Sequence, residues 1–391
     1  MKKILFVHDH LFYDLNGKIY SSGGLSRTVW ERFENFYDEI EVIARGKKIS
    51  EPVPGLVETE HKKVKFNLLY EVSGGKDYYT KADIIKNKLE KSVIKSDRVV
   101  IRLPSSIGLY CVEICKKHKI KYVSEVVGCI WDSTWNYGSL LGKITAPYLY
   151  FKTKKAIRNS LACMYVTQFF LQKRYPNSSN LNIYASNVII DDFEQSVLEN
   201  HINLLNSEKT SLNLGLIGFL NAKYKGFDVA IKALRNVIDQ SGLNIKLYIV
   251  GGGDDKYVKG LIKQYNLDEN VIIVGRLKAG EEVFRFLDTL DIYIHPSKQE
   301  GLPRSVIEAM GRGCPVLASS IAGIPELLDN EFLHKPGDYN KLSEQIISII
   351  KDKNQLIEMS KKNFSKSKEY TNEILTERRF NYWSKISKIE N

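Results

Sequence analysis

Cysteine is scarce in this 391-residue chain, and its placement is unpatterned. The five residues, Cys111, Cys115, Cys129, Cys163 and Cys314, are odd in number and include no CxxC pair. That argues against a disulfide framework and a cysteine zinc site, and leaves buried thiols in a reducing compartment as the expectation. Long apolar runs are lacking too. No stretch approaches the roughly 18 residues needed to span a bilayer. The first eight residues hold four apolar side chains before His8 and Asp9, too few for the core of a signal peptide. A cytosolic protein is expected. GxGxxG and GxxxxGK[ST] are both absent, so a nicotinamide cofactor and a P-loop lose their usual support. No DxD pair stands at a strand end. Asp191-Asp192 and Asp254-Asp255 are adjacent pairs without that context, so no metal is expected.

Basic charge is plentiful and uneven. Lys and Arg number 57 against 46 Asp and Glu. Residues 1–195 hold 30 basic and 21 acidic side chains, whereas residues 196–391 hold 27 and 25. A basic half attracts phosphates, nucleic acid or anionic lipid. No nucleic-acid recognition motif accompanies the charge, so nucleic acid is not an expected partner.

Short β-rich runs alternate with helical patterns, the mark of parallel α/β architecture. Residues 3–8 read as a buried strand followed by a polar, glycine-containing loop. Residues 41–44, 98–101, 121–127 and 161–166 read as further strands, and 107–117 as a helix. A second series of five strands starts after the polar stretch 199–211: residues 212–217, 246–250, 271–274, 292–295 and 315–318, with helices between. Two doubly wound parallel-sheet domains are expected, 1–195 and 205–368, with an aromatic helical tail at 369–391 crossing back onto the first. Ligands bind such sheets at the carboxyl ends of the strands, and the two domains are expected to face a central cleft.

Three loops carry candidate chemistry. In Ser21-Ser22-Gly23-Gly24-Leu25-Ser26-Arg27, two glycines precede a helix start, which permits close approach to an anion and equally suits an ordinary turn. In Gly218-Phe219-Leu220-Asn221-Ala222-Lys223-Tyr224-Lys225-Gly226, the two lysines suit a diphosphate or stand as a solvated pair. In Ser297-Lys298-Gln299-Glu300-Gly301-Leu302-Pro303-Arg304-Ser305-Val306-Ile307-Glu308, two carboxylates flank a helix start. Glu300 falls in the loop at a strand's end and Glu308 well inside the helix.

The run Glu300-x7-Glu308, followed by Gly313-Cys314-Pro315-Val316 and Gly323-Ile324-Pro325-Glu326, resembles the nucleotide-sugar signature of family-4 glycosyltransferases of the GT-B fold. Lys225-Gly226, the turn at Gly251-Gly252-Gly253 and Val274-Gly275-Arg276-Leu277 follow in the order of that family, and the likeness covers about residues 212–330. The resemblance implies that Lys225 holds the donor diphosphate, Glu308 the ribose hydroxyls and Glu300 the transferred sugar. It places the backbone of Gly301, Leu302 and Pro303 on sugar and phosphate, and Gly251, Gly275, Arg276 and Leu277 about the donor. It further implies that Gly23 and Gly24 approach the phosphate from the first domain. It also implies retention of anomeric configuration with no metal or other cofactor. Many members carry Arg where this chain has Phe219, so a cation beside Lys225 is missing unless Lys223 supplies it.

The first half offers an acceptor side. In the segment 125–138, which follows a strand, Trp131 and Trp135 suit sugar stacking and Asp132 a hydroxyl proton, or the segment is a loop whose tryptophans pack on the domain body. Residues 140–158 are basic, aromatic and amphipathic, fitting an anionic membrane surface or a core-facing helix with a solvated side. The reading is a metal-independent retaining glycosyltransferase, cytosolic and peripheral at the inner membrane face. It passes a sugar from a UDP-linked donor to a glycan or lipid-linked sugar in surface polysaccharide or glycolipid synthesis. A sugar-nucleotide epimerase and a non-enzymic nucleotide-sugar-binding module are the alternatives.

Overall fold

The computed structural model describes residues 1–22, 24–53, 55–136 and 140–390. The chain divides into two compact units, Met1–Ala185 with Thr376–Asn391, and Ser186–Leu375. Charge divides more sharply than the sequence halves suggest. The first unit carries 34 basic and 20 acidic side chains, a net +14, and the second 23 and 26, a net −3.

The first unit is built on a nine-stranded sheet: β1 (Lys3–Leu15), β2 (Lys18–Ser21), β3 (Glu39–Ile49), β4 (Val57–Glu58), β5 (Val64–Phe66), β6 (Arg98–Leu103), β7 (Tyr122–Val126), β8 (Ala162–Tyr165) and β9 (Asn182–Tyr184). Ile4, Leu5, Phe6 and Val7 are fully buried because β1 lies between parallel β3 and β6. The strand does not end at His8. Its register against β3 slips between Val7 and Leu11, and beyond the slip β1 continues to Leu15, where it pairs with antiparallel β2. The polar loop expected after residue 8 is therefore a bulge and a hairpin. Asn16 and Gly17 both take positive φ, 52° and 90°, as a two-residue hairpin turn demands. With β2 and β4 antiparallel, the sheet is mixed rather than wholly parallel.

Two other expectations are corrected in this unit. The segment 125–138, a loop in one of its two readings, contains the helix Ile130–Asn136, while residues 137–139 lie outside the described residues. The aromatic tail is a 3-10 turn, Lys368–Tyr370, and a helix, Asn372–Ile386, of which only Thr376 onward belongs to the first unit. There Trp383 is fully buried, 4.9 Å edge-on from Phe33, and the Arg378 guanidinium lies 4.3 Å over Tyr184.

The second unit is a six-stranded parallel sheet of β10 (Leu212–Ile217), β11 (Ile245–Val250), β12 (Val271–Gly275), β13 (Ile292–His295), β14 (Val316–Ser319) and β15 (Leu333–His334), in the order β12-β11-β10-β13-β14-β15. Five strands were expected; the two-residue β15 is too short to read from a pattern. The chain runs outward from β10 to β12, then returns to β13 on the other side. β10 and β13 thus flank the point where the winding reverses, which is where open α/β sheets bind ligands. The boundary expected at 195–205 falls inside this unit. Helix Gln195–Asn206 starts there and buries Leu198, His201 and Leu205 in it.

Candidate active site

The site of the second unit grows from the carboxyl ends of β10 and β13. After β10 the chain crosses a 3-10 turn, Lys223–Lys225, and reaches Gly226 at φ 79°. A methyl group at Gly226 would lie 2.1 Å from the Pro296 carbonyl oxygen, so only glycine lets this turn close against the loop after β13. Hydrogen bonds then tie the two loops. The Lys298 amide donates to the Tyr224 carbonyl at 2.6 Å, and the Ser297 hydroxyl is shared between the carbonyls of Tyr224 at 3.1 Å and Gln299 at 2.9 Å.

This closure brings Lys225 and Glu300 together, 75 residues apart in sequence. Lys225 Nζ lies 2.7 Å from Glu300 Oε1, and His295 Nε2 lies 2.8 Å from the same oxygen. Burial works against the carboxylate's charge, but Lys225 and His295 outweigh it and hold Glu300 at about 2. Gly301, Leu302 and Pro303 lead into helix Arg304–Gly311. Pro303 occupies the cap position and offers no side-chain hydrogen bond, so the first amides of the helix remain available to an anion. The Gly301 carbonyl accepts from the Gly323 amide at 2.9 Å, fixing the loop against the chain after β14.

Glu308 stands on this helix between buried Ile307 and Ala309. Desolvation raises its pKa, only partly offset by Arg304, and among the described residues its carboxylate has no hydrogen-bond partner. A half-buried carboxylate left in that state is poised for a donor.

At β11 the turn Gly251-Gly252-Gly253 packs on β10 so closely that a methyl at Gly251 would meet the Gly218 carbonyl oxygen at 1.8 Å. The Gly251 amide donates to the Gly275 carbonyl at 2.8 Å, linking the ends of β11 and β12. Arg276 is exposed beside Gly252, and Leu277 is half-buried. Lys223 does not join Lys225. Its ammonium lies 4.8 Å over the Tyr257 ring, away from the Lys225–Glu300 pair. Phe219, 58% exposed, stands at the end of β10.

Residues outside the sequence reading complete the site. Tyr293 and His295 share one face of β13. The Tyr293 hydroxyl donates to Ser305 Oγ at 2.9 Å, lies 3.3 Å from His295 Nδ1 and accepts from the Ile217 amide at 3.4 Å. The only sequence signal was a histidine closing a buried strand before Pro296.

Gly24 and Asp132 belong to the first unit, and Gly23 lies outside the described residues. Gly24 sits by His10; a methyl there would lie 3.6 Å from His10 Cε1. His8, Asp9 and His10 form the bulge of β1, at the split between β3 and β6. Asp9 accepts from Ser105 Oγ at 2.7 Å and from the amides of Ser106 and Ile107 at 2.6 and 2.9 Å, bracing the start of helix Ser106–Lys117. Burial, with Arg102 and Arg45 nearby, keeps His10 neutral with a pKa of about 4. Asp132 Oδ1 is paired with Arg174 at 3.1 Å, and Trp131 and Trp135 stack on each other at 5.6 Å and 9°. Trp135 remains exposed.

Among the described residues, no group of three His, Cys, Asp or Glu is disposed to hold a metal ion, and no helix is long and apolar enough to cross a membrane. All five cysteines are buried and free.

Residues 203–366 match the family model for glycosyl transferases group 1. Protein CapJ of Staphylococcus aureus is 34% identical over 344 residues, covering 88% of this chain and 85% of that one. The chain belongs to the group 1 glycosyltransferases. The amylovoran biosynthesis glycosyltransferase AmsK of Erwinia amylovora is 36% identical over 135 residues, about a third of each chain. The Anabaena protein HepE, solved in complex with UDP and glucose, superposes with a TM-score of 0.66 over 100% of both chains at 17% identity. That likeness gives the fold, GT-B, with two Rossmann-like α/β domains. The enzyme is a glycosyltransferase.

Proposed function

We propose that this glycosyltransferase retains anomeric configuration and takes its sugar from a UDP-linked donor bound by the second unit. The observation that carries the reading is the group at the β10/β13 split: Lys225 and Glu300 in contact, and Glu308 half-buried with no hydrogen-bond partner among the described residues. The three groups suit the three parts of a sugar nucleotide. Glu308 accepts the ribose hydroxyls. Glu300, ionised, accepts hydroxyls of the transferred sugar. Lys225 and the open amides before helix Arg304–Gly311 take the diphosphate. Gly251, Gly275, Arg276 and Leu277 border the base.

As the C1–O bond breaks, negative charge gathers on the departing diphosphate and positive charge on the sugar ring. Donors already fixed where charge develops lower the barrier most, because little reorganisation is left to do. Lys225 and the helix start suit the first charge, and the Glu300 carboxylate suits the second. Leaving-group charge is thus met by protein groups, a metal-free reading that rests on the lack of a DxD pair in the sequence. HepE, holding UDP and glucose on the same fold, supports the choice of nucleotide.

The first unit is proposed to receive a glycan or lipid-linked acceptor, with Trp131 and Trp135 as stacking surfaces and Asp132 taking the hydroxyl proton. The name of AmsK supports surface polysaccharide as the product class. Helix Leu140–Arg158 supports action at the inner face of the membrane. Ala146, Ala156 and Ile157 face inward, whereas Ile144, Tyr148 and Phe151 are 67, 64 and 66% exposed in one stripe that ends on Lys155 and Arg158. A merely solvated face has no use for three large apolar side chains in register; an anionic bilayer uses both the stripe and the cations.

Thermal shift against UDP-, GDP- and ADP-sugars tests the donor site. Stabilisation by UDP-sugars is expected, and a flat response to every sugar nucleotide would overturn it.

A further inference from the structure

His295 touches no part of the donor in the roles assigned above, yet its side chain is only 2% exposed. Its Nε2 faces an ionised carboxylate, which only accepts, so that nitrogen carries a proton. Its Nδ1 faces the Tyr293 hydroxyl, itself held by Ser305 and the Ile217 amide. The imidazole therefore cannot turn without leaving partners on both sides. Lys225 differs. It reaches the same Glu300 oxygen from a flexible stem and is one-fifth exposed. Among the described residues, Glu300 Oε2 has no hydrogen-bond partner.

We propose that His295 is the positioning residue of the donor site: it clamps Glu300 Oε1, leaving Oε2 to accept a sugar hydroxyl, and keeps the clamp when Lys225 moves to the donor's diphosphate. The proposal rests on the reading of Glu300 as the sugar contact. It explains why two groups hold one oxygen. A single lysine cannot both orient Glu300 and follow the leaving group, and a rigid imidazole frees it from the first task. Tyr293 on the same strand and Ser305 on helix Arg304–Gly311 fix the ring from behind. The other titratable or charged groups around the pair are Lys225, Glu308, which acts on Tyr293, and His334 on β15.

The test compares His295→Gln, which keeps an N–H donor, with His295→Leu, which does not. UDP binding is measured by calorimetry, and UDP release from UDP-glucose, UDP-galactose and UDP-N-acetylglucosamine is followed against pH. UDP affinity is expected to stay within about twofold in both, because UDP lacks the sugar that Glu300 serves. In His295→Leu, kcat is expected to fall about 10- to 100-fold, the scale of a misaligned reacting group. The acid limb of its rate profile should move to higher pH, because burial then favours protonated Glu300. His295→Gln should recover most of the rate. A wild-type kcat and an unmoved acid limb in His295→Leu would overturn the proposal, as would loss of UDP binding in His295→Gln, which would mark a purely structural role. If wild type released UDP from none of the three donors, the donor reading would fail instead. The clamp is then read separately from a carbon-13 carboxyl titration of Glu300, whose midpoint must rise in His295→Leu.

Discussion

Gly226 passes Pro296 so closely that one added methyl would press into its carbonyl oxygen at 2.1 Å. The positive φ of Gly226 adds to the restriction. Gly226→Ala is expected to cost at least about 2 kcal/mol, from the left-handed backbone and the forced contact. Because the same turn carries Lys225, UDP affinity should fall with it. Chemical denaturation and calorimetry check both; unchanged stability would show that the loops close by another route.

Replacing Lys225 by Met removes a cation but little volume. UDP release is expected to slow by about 100-fold, with a smaller effect on donor KM, since the charge it meets is largest in the transition state. Steady-state kinetics decide, and an equal loss in KM alone would assign Lys225 to ground-state binding.

Glu308 gives a prediction with a defined sign. Its pKa is raised in the free protein by desolvation, and hydroxyl donors from a ribose favour the ionised form. Binding should therefore lower that pKa and release protons. UDP affinity should rise with pH through the raised value, and calorimetry in buffers of different ionisation enthalpy should count the protons released. Glu308→Gln should abolish the release and weaken UDP by about 1–3 kcal/mol.

Glu300 sets the acid limit from the opposite direction. Held at about 2 in the folded protein against an ordinary 4.5, its contribution to stability is fully present above the ordinary value. It is lost as pH falls toward about 2. Glu300→Gln should flatten this part of the stability profile between those values, measured by urea denaturation at stepped pH.

The stripe on helix Leu140–Arg158 predicts sedimentation with phosphatidylglycerol vesicles that weakens with salt. Serine at Ile144, Tyr148 and Phe151 together should abolish it while leaving UDP binding intact. Binding that survives the triple change would move the contact elsewhere.

The second unit was legible almost strand by strand, because each strand is a short buried run followed by a loop with its own chemistry. Lys225 and Glu300 stood out in those loops, and Glu308 through its spacing from Glu300 and the family resemblance that spacing carries. His295 was not, since its value lies in Tyr293, Ser305 and Glu300, and the last of these is useful only when Lys225 arrives from 75 residues away. The first unit hid more. The polar His8, Asp9 and His10 interrupt β1 and look like its end, although Asn16-Gly17 is a hairpin signal in plain view. Trp131 and Trp135 lie on a helical turn too short to show a period. Whether Lys223 accompanies Lys225 was left open by the sequence; the 3-10 turn sends their side chains apart, one to Tyr257 and one to Glu300.

Because Trp383 seals the core beside Phe33, some 350 residues separate two halves of one hydrophobic contact. A nascent chain on the ribosome cannot finish its leading domain when that domain's strands emerge, but must keep Phe33 waiting until the far segment has been made. The second unit has all its residues in one continuous stretch and can mature first. The second unit is therefore expected to fold ahead of the first, and removing residues 376–391 should leave it resistant to limited proteolysis while the first unit becomes prone to aggregate.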